Sequence, residues 1–343
     1  MNIGEIARRA GVSRSTVSYA LSGKRPVSPV TRKRIQDVID ELGYVPNASA
    51  RALAEGRTRT IGLVIPPASK RLTHMQLDFV ASVVDAAAQV DLDVLLSPSG
   101  GDHDQSFERL VSENRVDGVI LMEIRLEDAR VSRLRESRMP FVGIGHPAQD
   151  QRMCWVDVDY ASLINHCVQH LADLGHRHIA LLNRSPELVA AGYGPGHRAR
   201  AGFMDAVRER NLQGIELLCG DDARSGQECI TELLRTHPDV TALATINEAA
   251  LPGIQRALDQ AGRRIPQDFS ITGVVASHWA EDFRPPLTAA DVPATEMAAQ
   301  ALSLLTERIS DPSTPPQHIL MTPSITLRHS TAAAGIGSVR SPL

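Results

Sequence analysis

Ile6-Ala7-Arg8-Arg9-Ala10-Gly11-Val12-Ser13-Arg14-Ser15-Thr16-Val17-Ser18-Tyr19-Ala20-Leu21 places two short helical patterns on either side of one glycine. Ile3, Ile6, Ala7 and Ala10 recur at helical spacing and make a single apolar stripe. Gly11 ends it, because a residue that tolerates positive φ lets the chain turn sharply there. Ser13 is a natural N-cap for a second helix, whose inward face is expected to be Val17, Ala20 and Leu21. Arg14, Ser15, Ser18 and Tyr19 then point outward. A helix of this width bearing donors, hydroxyls and a phenol fits a DNA major groove, where such groups reach base edges and phosphates.

A plain helical hairpin with a basic face would share these features, so the flanking sequence decides. Ser28 and Pro29 open a third helix, with Ile35, Val38, Ile39 and Leu42 at i, i+3, i+4 and i+7 and a stop at Gly43. Arg32, Lys33 and Arg34 lie on its outer face. Through residue 60 there are 11 Lys and Arg against 5 Asp and Glu, a net of +6, whereas the rest carries 25 against 35, a net of −10. A basic head on an acidic body implies a polyanionic partner for the head.

Tyr44-Val45-Pro46-Asn47-Ala48-Ser49-Ala50-Arg51-Ala52-Leu53-Ala54 follows. The ordered set Gly-Val-Ser, Thr-Val-Ser, Leu-Gly-Tyr-x-Pro-Asn-x-x-Ala-x-x-Leu-Ala and Arg-Thr-Ile-Gly-Leu resembles the LacI/GalR family of bacterial transcription regulators, and the layout holds to about Arg328. The resemblance implies a hinge helix opened by Pro46 and Asn47, an Ala50 contact with a dimer mate, and Leu53 wedged into the operator's minor groove. An apolar wedge between base steps costs on the order of a few kcal/mol, offset by contacts that the bent duplex permits. Ser13, Arg14, Ser15, Thr16, Ser18 and Tyr19 complete the expected DNA-binding set. Arg14 and Ser15 are the main base readers, and Thr16 and Ser18 the phosphate contacts. Tyr19 stands where many members present an arginine, so the half-site is expected to depart from the family's commonest one.

The 343 residues allow a small head and about two lobes. From Thr60, apolar runs (61–65, 92–96, 118–122, 141–144, 178–182, 241–245, 270–274) alternate with helical stretches, the first near 75–90. The fold class is therefore α/β, with parallel sheets wrapped by helices and ligands expected at strand carboxyl ends. By resemblance the core is two-lobed and periplasmic-binding-protein-like. The domains read as head 1–45, hinge and linker 46–59, core 60–329 (N-lobe 60–159 and 291–320, C-lobe 160–290 and 321–329) and a flexible tail 330–343. Chain crossings fall near Asp159, Ala290 and Met321. The N-terminus has no signal-peptide pattern and no apolar run has membrane-spanning length, so a cytoplasmic protein without membrane partners is expected. Cys154, Cys167, Cys219 and Cys229 form no Cys-x-x-Cys pair and are expected to be reduced.

Cleft residues also come by resemblance. Ser69, His74 and Phe79 are placed on the N-lobe side, Glu123 and Arg125 after the third strand, and His146 after the fourth. Asn183, Asn247 and Trp279 face them from the C-lobe, with Arg198 preferred to Arg200 as an effector clamp. Planar polar groups with an aromatic cover suit a sugar. Gly273-Val274-Val275-Ala276 lacks the aspartate that the family often has there, which leaves the sugar's identity open.

Gly192-Tyr193-Gly194-Pro195-Gly196 is not a phosphate loop, since the glycine spacing is wrong and Pro195 lacks an N–H; a mobile cleft-edge loop is expected. His166, Cys167, His170, His176 and His178 show no recognisable ligand spacing, so neither metal nor cofactor is expected. No catalytic arrangement declares itself, and an enzyme is not expected. The reading is a homodimeric repressor that binds a palindromic double-stranded operator under allosteric control by a small-molecule effector, a sugar by resemblance. A solute-binding receptor without a regulatory role is the alternative. The tail has no leucine heptad for tetramer formation.

Overall fold

The computed structural model describes residues 3–22, 25–43, 56–65, 72–99, 104–149 and 152–335. The head comprises α1 (Ile3–Ala10), α2 (Arg14–Ser22) and α3 (Pro29–Leu42). Ile6, Ala7, Ala10, Val17, Ile35 and Ile39 make its small core. Gly11 takes φ +63 and Gly43 φ +56, the left-handed turns that let the first and third helices stop. Ser28 caps α3 by accepting from the Thr31 amide at 3.2 Å, and Ser13 accepts from the Thr16 amide at 3.0 Å. Leu21 departs from expectation: it is 36% exposed, because so short a pair of helices leaves α2 only Val17 and Ala20 to bury.

Two six-stranded sheets follow. The first has the order β11-β5-β4-β3-β1-β2, all parallel, from β1 (Thr60–Ile65), β2 (Asp93–Pro98), β3 (Gly118–Leu121), β4 (Phe141–Ile144), β5 (Cys154–Val158) and β11 (His318–Met321). The second has the order β12-β10-β9-β8-β6-β7, from β6 (His178–Asn183), β7 (Gln213–Leu218), β8 (Ala242–Thr245), β9 (Ser270–Val275), β10 (Thr288–Asp291) and β12 (Ile325–Thr326), antiparallel only at β12. Helices α4 (His74–Ala88), α5 (Asp104–Ser112), α6 (Ala129–Ser137) and α13 (Ala294–Ser310) belong to the first lobe, and α7 (Tyr160–Asp173), α8 (Pro186–Ala190), α9 (Gly194–Glu209), α10 (Ala223–Thr236), α11 (Leu251–Gln260) and α12 (Ser277–Asp282) to the second. The fully buried β3, β8 and β9 read as continuous apolar runs, as parallel strands covered on both faces must.

Strand membership puts three chain crossings between the lobes: after β5, after β10 and after β11. Asp117 holds the place where the linker enters the first lobe: its Oδ1 accepts from the Thr58 amide at 2.7 Å and its Oδ2 from the Arg59 amide at 2.9 Å. The expected flexible tail needs correction at its start. Ser330 is buried, accepts from the Thr288 amide at 2.8 Å and donates to the Ile271 carbonyl at 2.6 Å, while the Ala334 amide reaches the Leu174 carbonyl at 2.8 Å. A chain whose backbone is tied to the sheet in this way is part of the second lobe to Ala334. The histidines weighed as metal ligands help to fasten it. His170 Nε2 meets Thr331 Oγ1 at 3.0 Å, and His176 spans Thr241 Oγ1 at 2.8 Å and the Ala332 carbonyl at 3.2 Å. Among the described residues no group of three or more His, Cys, Asp or Glu is arranged around a metal position, and no helix is long and apolar enough to cross a membrane.

Candidate DNA face and effector cleft

On the head, Ser13, Arg14 and Ser15 are exposed, and Thr16, Ser18 and Tyr19 are partly so. Arg14 folds back, its guanidinium lying where a Cβ on Gly4 would come within 2.8 Å of Nη2. The absence of a side chain at Gly4 gives the guanidinium its seat on α1. Arg25, from the turn between α2 and α3, sits over the Tyr19 ring at 5.2 Å. The local sequence reading missed it because nothing in the helix pattern reports on a side chain reaching back from the next turn. Asn47, Ala50 and Leu53, and the cleft candidate Ser69, lie outside the described residues.

The cleft lies where the two lobes face each other. Of the expected ligand residues, Phe79, Glu123 and Asn247 line it. Phe79 comes from α4, Glu123 from the turn after β3 at φ +54, and Asn247 from the turn after β8. His74, Arg125, His146, Asn183, Arg198 and Trp279 do not line it, for distinct reasons. Asn183 is buried beneath, its amide donating to the Gly196 carbonyl at 3.0 Å and Glu216 Oε1 at 2.9 Å. Arg125 has an exposed side chain, and its backbone pairs with Tyr193. Trp279 and His74 form the rim, edge to face at 5.0 Å. His146 gives its Nδ1 to Asp157 Oδ2 at 2.8 Å and stacks its ring on Trp155 at 4.2 Å, away from the cleft's interior. Arg198 crosses the lobes, donating to the His146 carbonyl at 2.7 Å, with Nη1 3.6 Å from Asp157 Oδ2 and burial pulling its pKa down. Arg200 turns outward onto Glu216 at 3.1 Å, leaving Arg198 as the arginine at the lobe junction.

Further polar side chains of the wall are Gln76, Asp157, Tyr160, Arg184, Tyr193 and Glu248. Arg184 Nε pairs with Asp221 at 2.7 Å and its Nη1 donates to the Tyr193 hydroxyl at 3.2 Å. Burial works against its charge, yet Tyr193, Asp221 and Glu123 raise its pKa, so it stays a cation. Burial, and then the Glu123 carboxylate, push the Tyr193 phenol well above its ordinary value. Burial and Asp157 do the same for Tyr160, so both hydroxyls stay protonated and can donate. Glu123 accepts from Gln76 Nε2 at 3.0 Å. Glu248 bridges the lobes, accepting from the Met75 amide at 2.8 Å and the Ala276 amide at 3.2 Å. Asn247 donates its amide to the Cys219 carbonyl at 3.1 Å, and its Oδ1 is buried without a partner. Contrary to the mobile loop expected over residues 192–196, Gly192 and Tyr193 turn directly into α9 and Pro195 joins the wall. The Leu126 amide fixes that turn across the lobes by donating to the Gly192 carbonyl at 2.8 Å.

A helical head with an exposed basic surface, tied to two lobes that close on a polar cleft, is the build of a ligand-responsive DNA-binding regulator. Residues 2–47 match the family of bacterial regulatory proteins, lacI family, and residues 168–331 match a periplasmic binding protein-like domain. The chain is 31% identical to the HTH-type transcriptional regulator CelR of Thermobifida fusca over 334 residues, 95% of this chain and 96% of that one. It superimposes on a transcriptional regulator CelR–cellobiose complex with a TM-score of 0.70 at 28% identity, over 96% of this chain and 99% of that chain. It shares its fold with a lac repressor dimer bound to operator and the anti-inducer ONPF, with a TM-score of 0.84 at 23% identity over 97% and 99% of the two chains. The chain belongs to the lacI family of bacterial transcriptional regulators, which is not a family of enzymes. The alternative of a solute-binding receptor finds no support, since the relatives matched through head and core are regulators.

Proposed function

We propose that this chain acts in the cytoplasm as a homodimeric repressor whose operator affinity is set by an uncharged sugar held between the lobes. The balance of charge in the cleft carries the ligand reading. Glu123, Glu248 and Asp157 line it beside one arginine among its described lining residues, Arg184; Arg184 is paired with Asp221 and Asp157 with His146 and Arg198, which leaves Glu123 and Glu248 as the wall's carboxylates without a paired arginine. Such a wall repels phosphates and carboxylates, while Asn247 Oδ1 and the carboxylates accept from hydroxyls, and Tyr160 and Tyr193 can donate. Phe79, Met75, Met122 and Met297 supply apolar cover. The CelR relative of the same build holds cellobiose, which agrees with a neutral sugar.

The dimer reading draws on an exposed stripe. Leu77, Ala81, Val84 and Ala88 recur on the outer face of α4 at i, i+4, i+7 and i+11, beside exposed Leu96 on edge strand β2. Apolar residues in heptad spacing on an open face suit packing against a second copy. Two heads then reach successive major grooves, with half-site centres about 10 bp apart or a multiple. Lobe contacts such as Glu248 to Met75 and Arg198 to His146 respond to the ligand, and the linker held by Asp117 passes the change to the hinge. Ser13, Arg14, Ser15, Thr16, Ser18 and Tyr19 are the proposed head contacts, with Asn47, Ala50 and Leu53 in the hinge.

Selection of bound sequences from random duplex DNA, at two salt concentrations and with Leu53→Ala alongside, tests the reading. A palindrome whose centre is sensitive to Leu53 is expected. Titrating that operator complex with cellobiose, other neutral sugars and glucose 6-phosphate should shift affinity at least about fivefold with a neutral sugar only. Sequence-blind binding that disappears with salt would overturn the regulator reading for this head. A response to the phosphate alone would overturn the ligand reading.

A further inference from the structure

Arg130 stands behind the effector cleft rather than in it. It is the second residue of α6, and its side chain is 15% exposed. Its Nε and Nη2 grip the Asp128 carboxylate at 2.9 and 2.7 Å. The same Nη2 lies 2.9 Å from the Glu123 carbonyl oxygen and 3.2 Å from that of Met122, and Nη1 donates to Ser99 Oγ at 2.8 Å. Ser99 in turn donates its amide to the Ile65 carbonyl at 3.0 Å. One guanidinium therefore ties together the carboxyl ends of β1, β2 and β3, the ends at which an α/β sheet meets its ligands.

Glu123 is the residue that needs such a hold. It lines the cleft at φ +54, in the left-handed region that is unfavourable for a residue with a Cβ. Successive carbonyls of an extended chain point opposite ways, and the turn at Glu123 brings those of residues 122 and 123 to one nitrogen. The side chain is aimed separately. Gln76, whose Oε1 accepts from the Thr73 amide at 2.8 Å, donates through Nε2 to Glu123 Oε1 at 3.0 Å. We propose that Arg130 is a positioning residue of the effector site, holding Glu123 in the left-handed turn from which its carboxylate meets a sugar hydroxyl. The sugar half of this rests on the cleft reading proposed above, whereas the hold on the turn does not.

A guanidinium suits the task because its donors form a planar fork, whereas the ammonium of a lysine gathers three donors at one point and cannot span Asp128, two carbonyls and Ser99. The fork is itself anchored. Burial works against the Asp128 charge, but the Arg130 hydrogen bond and charge outweigh it and hold that carboxyl below its ordinary value, so the pair stays ionised. The turn so fixed also reaches the second lobe. Asp128 Oδ2 accepts from the Arg125 amide at 3.1 Å, and the next amide, of Leu126, donates to the Gly192 carbonyl at 2.8 Å. The place of Glu123 and a contact between the lobes thus depend on one side chain outside the cleft.

Arg130→Lys keeps a cation beside Asp128, so the lobe still folds. Hydrogen exchange of the purified full-length protein reads the hold: protection of the Arg125 and Leu126 amides should fall at least about fivefold in Arg130→Lys. Adding Glu123→Gly, which takes positive φ freely, should recover most of that loss, and adding Glu123→Ala, which keeps a Cβ, should not. Equal loss in all three backgrounds, or a loss spread evenly through β3 and α6, overturns the hold and leaves Arg130 as the ion-pair partner of Asp128 only. Calorimetry with cellobiose and the other neutral sugars reads the coupling. Arg130→Lys should weaken the sugar that the wild type binds at least about fivefold, but less than about twofold when added to Glu123→Ala. A full loss that persists without the Glu123 carboxylate, or no loss at all, overturns the positioning. Exchange uses no sugar, so a wild type that binds none of them would overturn the ligand reading and the sugar half of this one, while the hold on Glu123 still stands or falls on its amides.

Discussion

The head and the cleft treat their polar side chains in opposite ways. On the head, Ser13, Arg14 and Ser15 are exposed, though Ser13 caps α2 and Arg14 rests against Gly4, and Tyr19 is covered by Arg25. In the cleft, Arg184, Asp221, Tyr193, Glu123, Gln76, Glu248 and Asn247 engage one another or the backbone before any ligand arrives. A surface that must fit a long, hydrated polyanion can leave its donors to water and exchange them on contact. A cleft that closes over a small molecule must pair most of them, because each buried group without a partner costs about 1–3 kcal/mol, and Asn247 Oδ1 is an exception. Removing a cleft residue should therefore unsettle the fold, whereas removing a head residue should be felt only with DNA present.

Arg184→Ala is the sharpest test of that contrast. It leaves Asp221 buried without its cation, with both side chains little exposed at 11% and 12%, and strands the Tyr193 hydroxyl. Breaking such a pair costs about 3–5 kcal/mol. Denaturant unfolding of the core should show a loss of that size together with loss of sugar response. A core as stable as wild type would mean that the cleft, like the head, leaves its polar groups loosely held.

Ile35→Ala extends the contrast from polar groups to the two cores. Ile35 is 1% exposed in the small head core that it shares with Ile6, Val17 and Ile39. The usual cost of about 2–5 kcal/mol is comparable with all the stability so small a unit can hold. Operator binding should vanish while the thermal transition of the lobes stays where it was. A shift of both transitions would show that head and lobes unfold as one.

Arg25→Ala probes a contact within the head at its reading face. Tyr19 replaces the arginine expected in α2, and Arg25 brings a guanidinium back over its ring. If that group reads a guanine, its loss should relax one base pair in each half-site by about 1–3 kcal/mol, with Arg25→Lys failing to restore it. Equal weakening on every sequence, with a shallower salt slope, would assign Arg25 to phosphate instead.

The same contrast explains what could be read from the sequence. The head is local: Gly11, the Ser13 and Ser28 caps and the 35–42 stripe each act within a few residues, so three helices were legible. Strands buried on both faces, such as β3, β8 and β9, announced themselves as apolar runs. Edge strand β7, with Gly214 and Glu216, and β10, Thr-Ala-Ala-Asp, did not, because their partners rather than their residues make them strands. In the cleft, Phe79, Glu123 and Asn247, carried over by resemblance, are among the residues that line the wall. Arg184 was missed by one position, beside Asn183, and Glu248 was passed over next to Asn247, since the side chain that emerges at a strand end depends on the twist of the sheet. Asp157 lies on β5, whose Cys-Trp-Val-Asp-Val makes no continuous apolar run, and Tyr193 was hidden in glycines that read as a mobile loop.

The smallest expected effect concerns the 330–334 segment, where sequence suggested disorder and histidines supply order. A carbonyl only accepts, so His176 Nε2 donates to Ala332 and its Nδ1 accepts from the Thr241 hydroxyl: the ring is held neutral. Burial, more than the hydrogen bond to Ala332 can offset, lowers its pKa below the ordinary 6.5. The unfolded chain consequently takes up a proton at a higher pH than the folded one. The contribution of His176 to stability is full above 6.5, declines as pH falls from there toward the lower folded value, and is gone below it. His170, lowered first by its burial, acts in the same direction on Thr331. Hydrogen-exchange protection factors of the Ala332 and Ala334 amides should thus fall as the pH is lowered below 6.5 while those of α3 in the head hold steady. Constant protection at Ala332 across that range would mean that Ser330 alone pins the segment and that the two histidines are passengers.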